Sequence, residues 1–137
     1  MNVSILEQSV SVEGKPQSVT IKDSINLAKK AEKLGYKRFW VSEHHNHPTI
    51  IGTAPEILMA AIACNTSSIR IGSAGIMLPH YSPLKVAEQF RVLEAIAPNR
   101  IDLGLGRAPG SDGRTALALN PNSRSDSEHF PSHVRDL

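Results

Sequence analysis

Residues 38–45 read RFWVSEHH, an apolar and β-prone run that ends in an acid and two imidazoles. A helix-like segment precedes this run, because apolar residues recur at helical spacing over residues 21–31 and Gly35 follows as a stop. In α/β proteins the loops at the carboxyl ends of the strands bind ligands. The stretch therefore predicts a strand that delivers its last three residues to a binding edge of a sheet.

The same alternation of strand and helix continues along the chain. The other predicted elements are a strand at residues 3–6, a helix with Thr20 as N-cap, a helix from Pro55, a strand at residues 69–78, a helix from Pro83 and a strand at residues 100–105. Strands and helices in this order indicate βαβ units. The expectation is an α/β fold with four parallel strands and three intervening helices.

Composition excludes several classes of protein. A chain of 137 residues with 40% hydrophobic and 20% charged residues is long enough for one globular domain. A net charge of +2 without a basic stripe argues against a nucleic-acid partner. The single cysteine, Cys64, excludes an internal disulfide and is expected as a small buried residue. No signal peptide or ~20-residue apolar run is recognisable, so no membrane association and a cytoplasmic location are expected.

Residues 107–137 differ in character from the rest. Residues 107–129 are rich in Gly, Pro, Ser and Asn and are predicted as a long loop after the fourth strand. Residues 130–137, with Pro131 near the first helical position, are predicted as the start of a truncated helix. Residues 1–137 are accordingly expected to be the N-terminal part of a larger domain.

Glu43, His44 and His45 are the sharpest candidates for catalysis. An imidazole exchanges protons near neutral pH because its unperturbed pKa is about 6.5, and a neighbouring carboxylate can orient it. The plain alternative is that the histidines pack or cap the next helix. A zinc site with His47 is a further alternative, but adjacent residues of an extended segment point in opposite directions. No metal site is therefore predicted, and a zinc-dependent hydrolase remains a rival function.

Two glycine-rich stretches are candidates for ligand contact. Residues 71–76, IGSAGI, carry unusually small side chains, so a planar ring could lie against residues 73–75; tight packing explains the composition equally well. The stretch GLGR, residues 104–107, delivers Arg107 into a loop, where a guanidinium and backbone N–H groups suit a phosphate, although a simple turn is the plain alternative. His80 and Tyr81 are expected on the same side as these sites, or as loop fillers.

Taken together, these motifs resemble one known family. WVSEHH at residues 40–45, IGSAGIMLP at 71–79, AEQ at 87–89 and NRIDLGLGRAPG at 99–110 resemble the luciferase-like flavin monooxygenase family. The order and spacing fit along nearly the whole chain. The resemblance implies an incomplete (βα)₈ TIM barrel comprising about its first four parallel strands, since a complete barrel needs ~250 residues.

The resemblance also implies a reaction and its participants. The family binds FMN, or a deazaflavin in some relatives, and inserts one oxygen atom from O₂ into a small organic substrate. A separate flavin reductase usually supplies the reduced flavin. The chain itself is expected to associate with a second copy, through its second and third helices, or with a missing C-terminal half.

Site residues follow from the same resemblance. His44 matches the family histidine near the reacting ring, with Glu43 and His45 beside it. Ser73, Ala74 and Gly75 match the segment against the flavin ring, where a cis non-proline peptide often occurs. Arg107 matches a phosphate-contacting arginine and Arg124 a second one. Gly106 departs from bacterial luciferase, which has a reactive cysteine there. A non-catalytic flavin-binding or self-associating module is the remaining alternative.

Overall fold

The computed structural model describes residues 3–137, which are organised around a four-stranded parallel sheet. Its strands are β1 (Ser4–Glu7), β2 (Arg38–Val41), β3 (Arg70–Ser73) and β5 (Ile101–Asp102), in the order β1-β2-β3-β5. Two further short strands, β4 (Ile76–Met77) and β6 (Leu105–Gly106), pair in parallel as a separate ladder. The predicted parallel α/β arrangement is confirmed.

Three helices connect the strands and cover one face of the sheet. They are α1 (Gln17–Lys33), α2 (Pro55–Ala63) and α3 (Pro83–Ile96). Phe39 and Val41 of β2 and Ile71 of β3 are fully buried on this face, with Met59 and Ile62 of α2 packed in the same core. The period-two alternation of the strands explains this arrangement, because successive side chains point to opposite faces.

The opposite face of the sheet is more open. The pairing register aligns Leu6, Trp40, Gly72 and Asp102 across the four strands. Leu6 is 57% exposed, whereas the Trp40 ring lies directly on Gly72, where a Cβ would overlap it. Glycine at this position is therefore required by the tryptophan on the adjacent strand.

The helix starts were predicted correctly for α2 and α3 and wrongly for α1. Pro55 and Pro83 occupy the first helical positions, where the missing N–H costs nothing. In α1 the N-cap is Pro16, and Thr20 lies inside the helix with 6% exposure. Ser24, one turn further along, is also buried, and its hydroxyl donates to the Glu7 carboxylate at 2.9 Å, so packing against β1 rather than capping explains these polar residues.

The strands predicted at 69–78 and 100–105 are each divided. β3 ends at Ser73 and β4 begins at Ile76, and the intervening Ala74–Gly75 peptide is cis. Gly75 lies against the neighbouring chain, because a Cβ there would come within 2.8 Å of the Leu105 carbonyl carbon. The second ladder thus begins where two glycine-containing segments approach each other closely. A 3₁₀ turn (Leu78–His80) follows β4.

The segment 107–129, expected as a loop, contains two helices. They are α4 (Gly113–Leu119) and α5 (Ser123–Glu128), and α6 (Phe130–Arg135) follows where a helix was predicted. Asp112 caps α4, since its carboxylate accepts from the backbone N–H groups of Arg114 and Thr115. Asn120 ties the region down by donating to the Pro79 carbonyl at 2.8 Å. The sequence concealed these elements because both are short: α4 depends on its Asp112 cap, and α5, SRSDSE, has no apolar residue.

The expectation for Cys64 was wrong. The residue follows the last turn of α2 as its C-cap and is exposed. Its apolar neighbours Ile62 and Ala63 turn into the core instead. Within residues 3–137, the structure has no helix that is both long and apolar enough to span a membrane.

Candidate functional site

The carboxyl edge of the sheet collects nearly all of the predicted site residues. Val41 pairs with Ser73 in parallel register, so the residues that follow β2 and β3 emerge side by side. These residues are Glu43, His44 and His45 after β2, Ala74 and Gly75 after β3, and Arg107 after β6, while Arg124 lies on α5. This is the edge at which α/β proteins bind ligands.

Glu43 is a buried acceptor. It has no exposed surface, and its carboxylate accepts three hydrogen bonds. The Met77 backbone N–H donates to Oε2 at 2.9 Å, whereas the Tyr81 hydroxyl and the His45 Nε2–H each donate to Oε1 at 2.6 Å. A carboxylate satisfied in this way is placed to orient other groups rather than to meet a substrate.

Tyr81 was missed as a partner of Glu43. Burial raises the pKa of the Tyr81 hydroxyl, and its hydrogen bond to the Glu43 carboxylate raises it further. The hydroxyl therefore remains a donor across the neutral range. The sequence offers no local signal for this pair, since 38 residues separate its members.

His45 and His80 form an edge-to-face pair. Their ring centroids are 5.8 Å apart and their planes meet at 87°. Because His45 donates Nε2–H to Glu43, its neutral ring keeps Nδ1 as an acceptor. His80 is 8% exposed and hydrogen-bonds the Pro109 carbonyl through Nε2 at 2.7 Å. His80 is accordingly a buried element of the site.

His44 is held differently from His45. Its backbone N–H donates to the Gly52 carbonyl at 3.0 Å, and the ring is half-buried. The Nδ1 atom of His44 and the hydroxyl of the preceding Ser42 are both buried without a hydrogen-bond partner in the described chain. Buried polar atoms are rarely left unpaired, so these two atoms mark a place where the described chain leaves hydrogen-bonding capacity unused.

The described side chains offer no cluster of metal ligands. Within residues 3–137, no group of three or more His, Cys, Asp and Glu side chains is arranged to hold a metal ion. His47 is exposed, and its Nδ1 accepts from the backbone N–H groups of Thr49 and Ile50 at 3.2 and 3.1 Å. Together with the Glu43–His45 pair, this local bonding leaves the zinc hydrolase without support.

Ser73, Ala74 and Gly75 have three different environments. The Ser73 hydroxyl donates to the Gly104 carbonyl at 2.8 Å and accepts the Gly104 N–H at 3.0 Å, so it is occupied by the neighbouring strand. Gly75 is wedged against Leu105, and packing accounts for its lack of a side chain. Ala74, by contrast, is exposed at the strand edge. Backbone and a methyl group alone face outward here, which fits the face of a planar ring.

Arg107 is hydrogen-bonded to α5, and Arg124 is part of the same helix. The Arg107 Nε donates to the Ser127 carbonyl in the last turn of α5 at 3.0 Å, and Arg124 lies in the first turn of the same helix. Both residues are exposed, and in the described chain the two terminal nitrogens of Arg107 have no partner. The Arg107 guanidinium thus has a free edge of the kind that binds a phosphate.

The absence of a side chain at Gly106 has a packing explanation. A Cβ there would lie 2.9 Å from the Met77 sulfur. Met77 also packs on Gly110, whose φ of +63° favours glycine. The thioether therefore fills the space beside position 106, where the resemblance places the reactive cysteine of bacterial luciferase.

Four parallel strands with helices on one face and a polar carboxyl edge define a portion of an α/β barrel-type protein. The profile of the luciferase-like monooxygenase family matches residues 1–125. The chain belongs to this family.

Named relatives agree with this assignment. The N-acetyl-S-alkylcysteine monooxygenase of Bacillus subtilis (strain 168) is 45% identical over 137 residues, which is 100% of this chain and 41% of that protein. The crystal structure of apo-MsnO8 superimposes with a TM-score of 0.94 at 46% identity, covering 99% of this chain and 41% of that one. The chain thus spans about two fifths of the length of the relatives it matches.

A more distant structure is alike in fold alone. The oxygenating constituent of 3,6-diketocamphane monooxygenase from Pseudomonas putida, solved in complex with FMN, has a TM-score of 0.83 at 23% identity. It covers 94% of this chain, which in turn covers 36% of it. The expectation that these residues make up part of a luciferase-like α/β barrel is confirmed.

Proposed function

We propose that this chain contributes the flavin-facing N-terminal portion of a flavin-dependent monooxygenase that uses reduced FMN and O₂ on a small organic substrate. The observation that carries the proposal is the unpaired, buried Nδ1 of His44, which lies at the same strand edge as the bare Ala74 surface. Membership of the luciferase-like monooxygenase family supports it.

The flavin, when bound, supplies the electrons that activate O₂. The residues of this chain bind it and manage protons around it. Ala74 and Gly75 lie against the ring, and Arg107 holds the phosphate through its free terminal nitrogens, with Arg124 nearby on α5. These assignments place ring and phosphate contacts along one edge of the sheet.

His44 is the proposed proton carrier, because its ring is half-buried at the strand edge and its Nδ1 has no hydrogen-bond partner in the described chain. Glu43 and His45, expected beside it as catalytic residues, have positioning roles in this proposal. The Glu43 carboxylate accepts hydrogen bonds from three donors, and one of these donors is the Nε2–H of His45. The hydroxyl of Ser73 is likewise used inside the fold, so it supports the ring segment rather than contacting the cofactor.

A titration of the chain with FMN tests the phosphate assignment. Arg107→Ala is expected to weaken binding by about 1.5–3 kcal/mol, the range for a charged hydrogen bond. Arg91→Ala is the matched control, because Arg91 is an exposed arginine on α3. Equal affinities of wild type and Arg107→Ala for FMN contradict the phosphate assignment. Tighter binding of a deazaflavin than of FMN would show that the deazaflavin is the cofactor.

The catalytic proposal has its own readout. His44→Gln is expected to bind FMN like wild type while losing the pH dependence of the oxygen-driven reoxidation of bound, reduced flavin. A flavin reductase supplies the reduced cofactor in this assay. Binding without any turnover in the wild-type chain favours the non-catalytic module and places the chemistry in a C-terminal portion of the enzyme.

We further propose that a second copy of the chain docks on the outer groove between α2 and α3. This groove has a volume of about 920 Å³ and exposes Ile57, Val92 and Ile96, which are 68%, 60% and 45% exposed. Lys85 and Glu88 lie on its rim, so a two-fold contact can set each charge against its opposite. Ile57→Lys is expected to abolish a dimer seen by light scattering; an unchanged mass would contradict this interface.

A further inference from the structure

His80 is a buried side chain whose polar contacts lead to a loop rather than to its own element. It ends the 3₁₀ turn after β4 and is 8% exposed. A carbonyl oxygen only accepts, so the 2.7 Å contact between Nε2 and the Pro109 carbonyl fixes the proton on Nε2. The other ring nitrogen, Nδ1, is buried and unpaired in the described chain.

The ring of His80 is itself held firmly. Its centroid lies 5.8 Å from that of His45 and 6.3 Å from that of Tyr81, in both cases edge to face. The carbonyl of the preceding Pro79 accepts the Asn120 side-chain amide at 2.8 Å, which joins the turn to the helical C-terminal region. The donor is therefore preorganised, and the loop it holds gains a fixed point at little entropic cost.

Apart from its first residue, the loop at residues 107–112 has few other restraints; the Arg107 Nε donates to the Ser127 carbonyl at 3.0 Å, and the Arg107 carbonyl accepts from the Ser127 hydroxyl at 3.5 Å. The His45 backbone N–H donates to the Gly110 carbonyl at 3.1 Å. The Ser111 hydroxyl contacts the Pro109 carbonyl at 3.3 Å, but Ser111 moves with the loop. Among the described residues, His80 is therefore the side chain from outside the loop that fixes the Pro109 carbonyl.

We propose that His80 is a positioning residue that fixes the loop at residues 107–112 and thereby places Arg107 at the binding edge. The loop begins at Arg107, two residues before the carbonyl that His80 holds. The role assigned to Arg107 rests on the proposed phosphate site, whereas the restraint on the loop does not. Loss of the Nε2–H donor frees the loop, so that a phosphate must order it on binding.

Three substitutions at position 80 separate the donor from the volume of the ring. His80→Gln keeps an N–H donor near the Nε2 position, His80→Phe keeps a ring without a donor, and His80→Asn keeps an amide that is too short to reach. His47→Phe is the matched control, because His47 is exposed. Urea unfolding of each variant reports global stability separately.

Hydrogen exchange of the amides whose acceptors lie on the loop, measured without flavin, is the decisive experiment: the His45 N–H is bonded to the Gly110 carbonyl, and the Arg114 and Thr115 N–H groups are bonded to the Asp112 carboxylate. We expect faster exchange in His80→Phe and His80→Asn, and wild-type exchange in His80→Gln and His47→Phe. If His80→Phe does not fold, His80→Asn decides the question. Unchanged exchange of these amides in the folded donor-free variants overturns the proposal.

An FMN titration then tests the consequence for Arg107. We expect His80→Phe to weaken binding on the order of tenfold, as for one net hydrogen bond, and His80→Gln to stay near wild type. In the Arg107→Ala background His80→Phe should cost almost nothing more; an undiminished further loss contradicts action through Arg107. If wild type binds no FMN, the proposed function fails while the exchange data still decide the role of His80.

Discussion

The Tyr81 hydroxyl donates a 2.6 Å hydrogen bond to Oε1 of Glu43, a carboxylate with no exposed surface. The bond joins the turn after β4 to the end of β2. The His45 Nε2–H donates to the same oxygen, and the Met77 backbone N–H donates to Oε2. The candidate site is thus assembled around one buried acceptor, the Glu43 carboxylate. Removal of a hydrogen-bond donor to this carboxylate should lower the stability of the fold.

Tyr81→Phe is expected to lower the free energy of unfolding by about 1–3 kcal/mol, since it removes a hydrogen bond to a buried charged group. Urea denaturation measures this change. Tyr36→Phe is the matched control, because the half-buried Tyr36 hydroxyl makes no hydrogen bond with the described chain. Equal losses for the two variants would mean that the Glu43 contact contributes nothing of its own.

Gly72→Ala is expected to destabilise the fold by about 1–3 kcal/mol through overpacking. The added methyl would overlap the Trp40 ring. Trp40 is the single tryptophan of the chain, so its fluorescence reports the displacement directly. Gly113→Ala is the control, since no atom lies within 4 Å of a Cβ built there. A Gly72→Ala variant as stable as wild type, with unaltered emission, would contradict the packing.

Glu32 lies at the opposite end of the sheet from the candidate site and is expected to make the stability of the fold depend on pH. Partial burial opposes ionisation, but backbone N–H groups of Ile69, Ser68 and Ser67 donate to its carboxylate and lower its pKa from 4.5 to about 2. A depressed carboxylate pKa stabilises the fold above pH ~4.5, and this contribution is lost as the pH falls towards 2. Its size is about 1 kcal/mol, because solvent screens the group.

Glu32→Gln measures this contribution. Between pH 2 and 5 the stability of the variant should vary less with pH than that of wild type, as followed by urea denaturation at each pH. Glu13→Gln is the control, because Glu13 is exposed and accepts no hydrogen bond in the described chain. Parallel pH profiles for wild type and Glu32→Gln would contradict the assignment.

Asp102 holds two arginines at the amino ends of the strands. Its carboxylate accepts from Arg70 at 2.5 and 2.9 Å and from Arg38 at 3.1 Å. The hydrogen bonds from Arg70, with a smaller contribution from Arg38, lower the pKa of Asp102 against the effect of burial. Asp102→Asn is expected to cost about 1–3 kcal/mol of unfolding free energy at neutral pH.

The double variant Arg38→Gln with Asp102→Asn tests this cluster by a mutant cycle. The two substitutions should be less costly together than the sum of the single losses, since they remove the same contact. Additive losses would show that Arg38 and Asp102 act independently. FMN binding should be unaffected, because both arginines lie at the amino ends of their strands, away from the carboxyl edge.

Local chemistry made much of the fold predictable. Pro55 and Pro83 start helices because proline lacks only an N–H that a first turn does not use, and Gly35 ends α1 with a φ of +80°. The order of strands and helices, the family and the binding edge follow from such local signals. The helices at 113–119 and 123–128 were missed, since both are shorter than two full apolar repeats and the second contains no apolar residue.

The sequence by itself determined the alternation of elements and the residue types at the carboxyl edge, because propensity and periodicity act over a few residues. Only the tertiary structure decided which groups are used up inside the fold and which remain free. Glu43 and Ser73 are saturated by distant donors and acceptors, whereas the Nδ1 of His44 is left unpaired. Burial and hydrogen-bond pairing depend on segments far apart in the chain, so no local pattern encodes them.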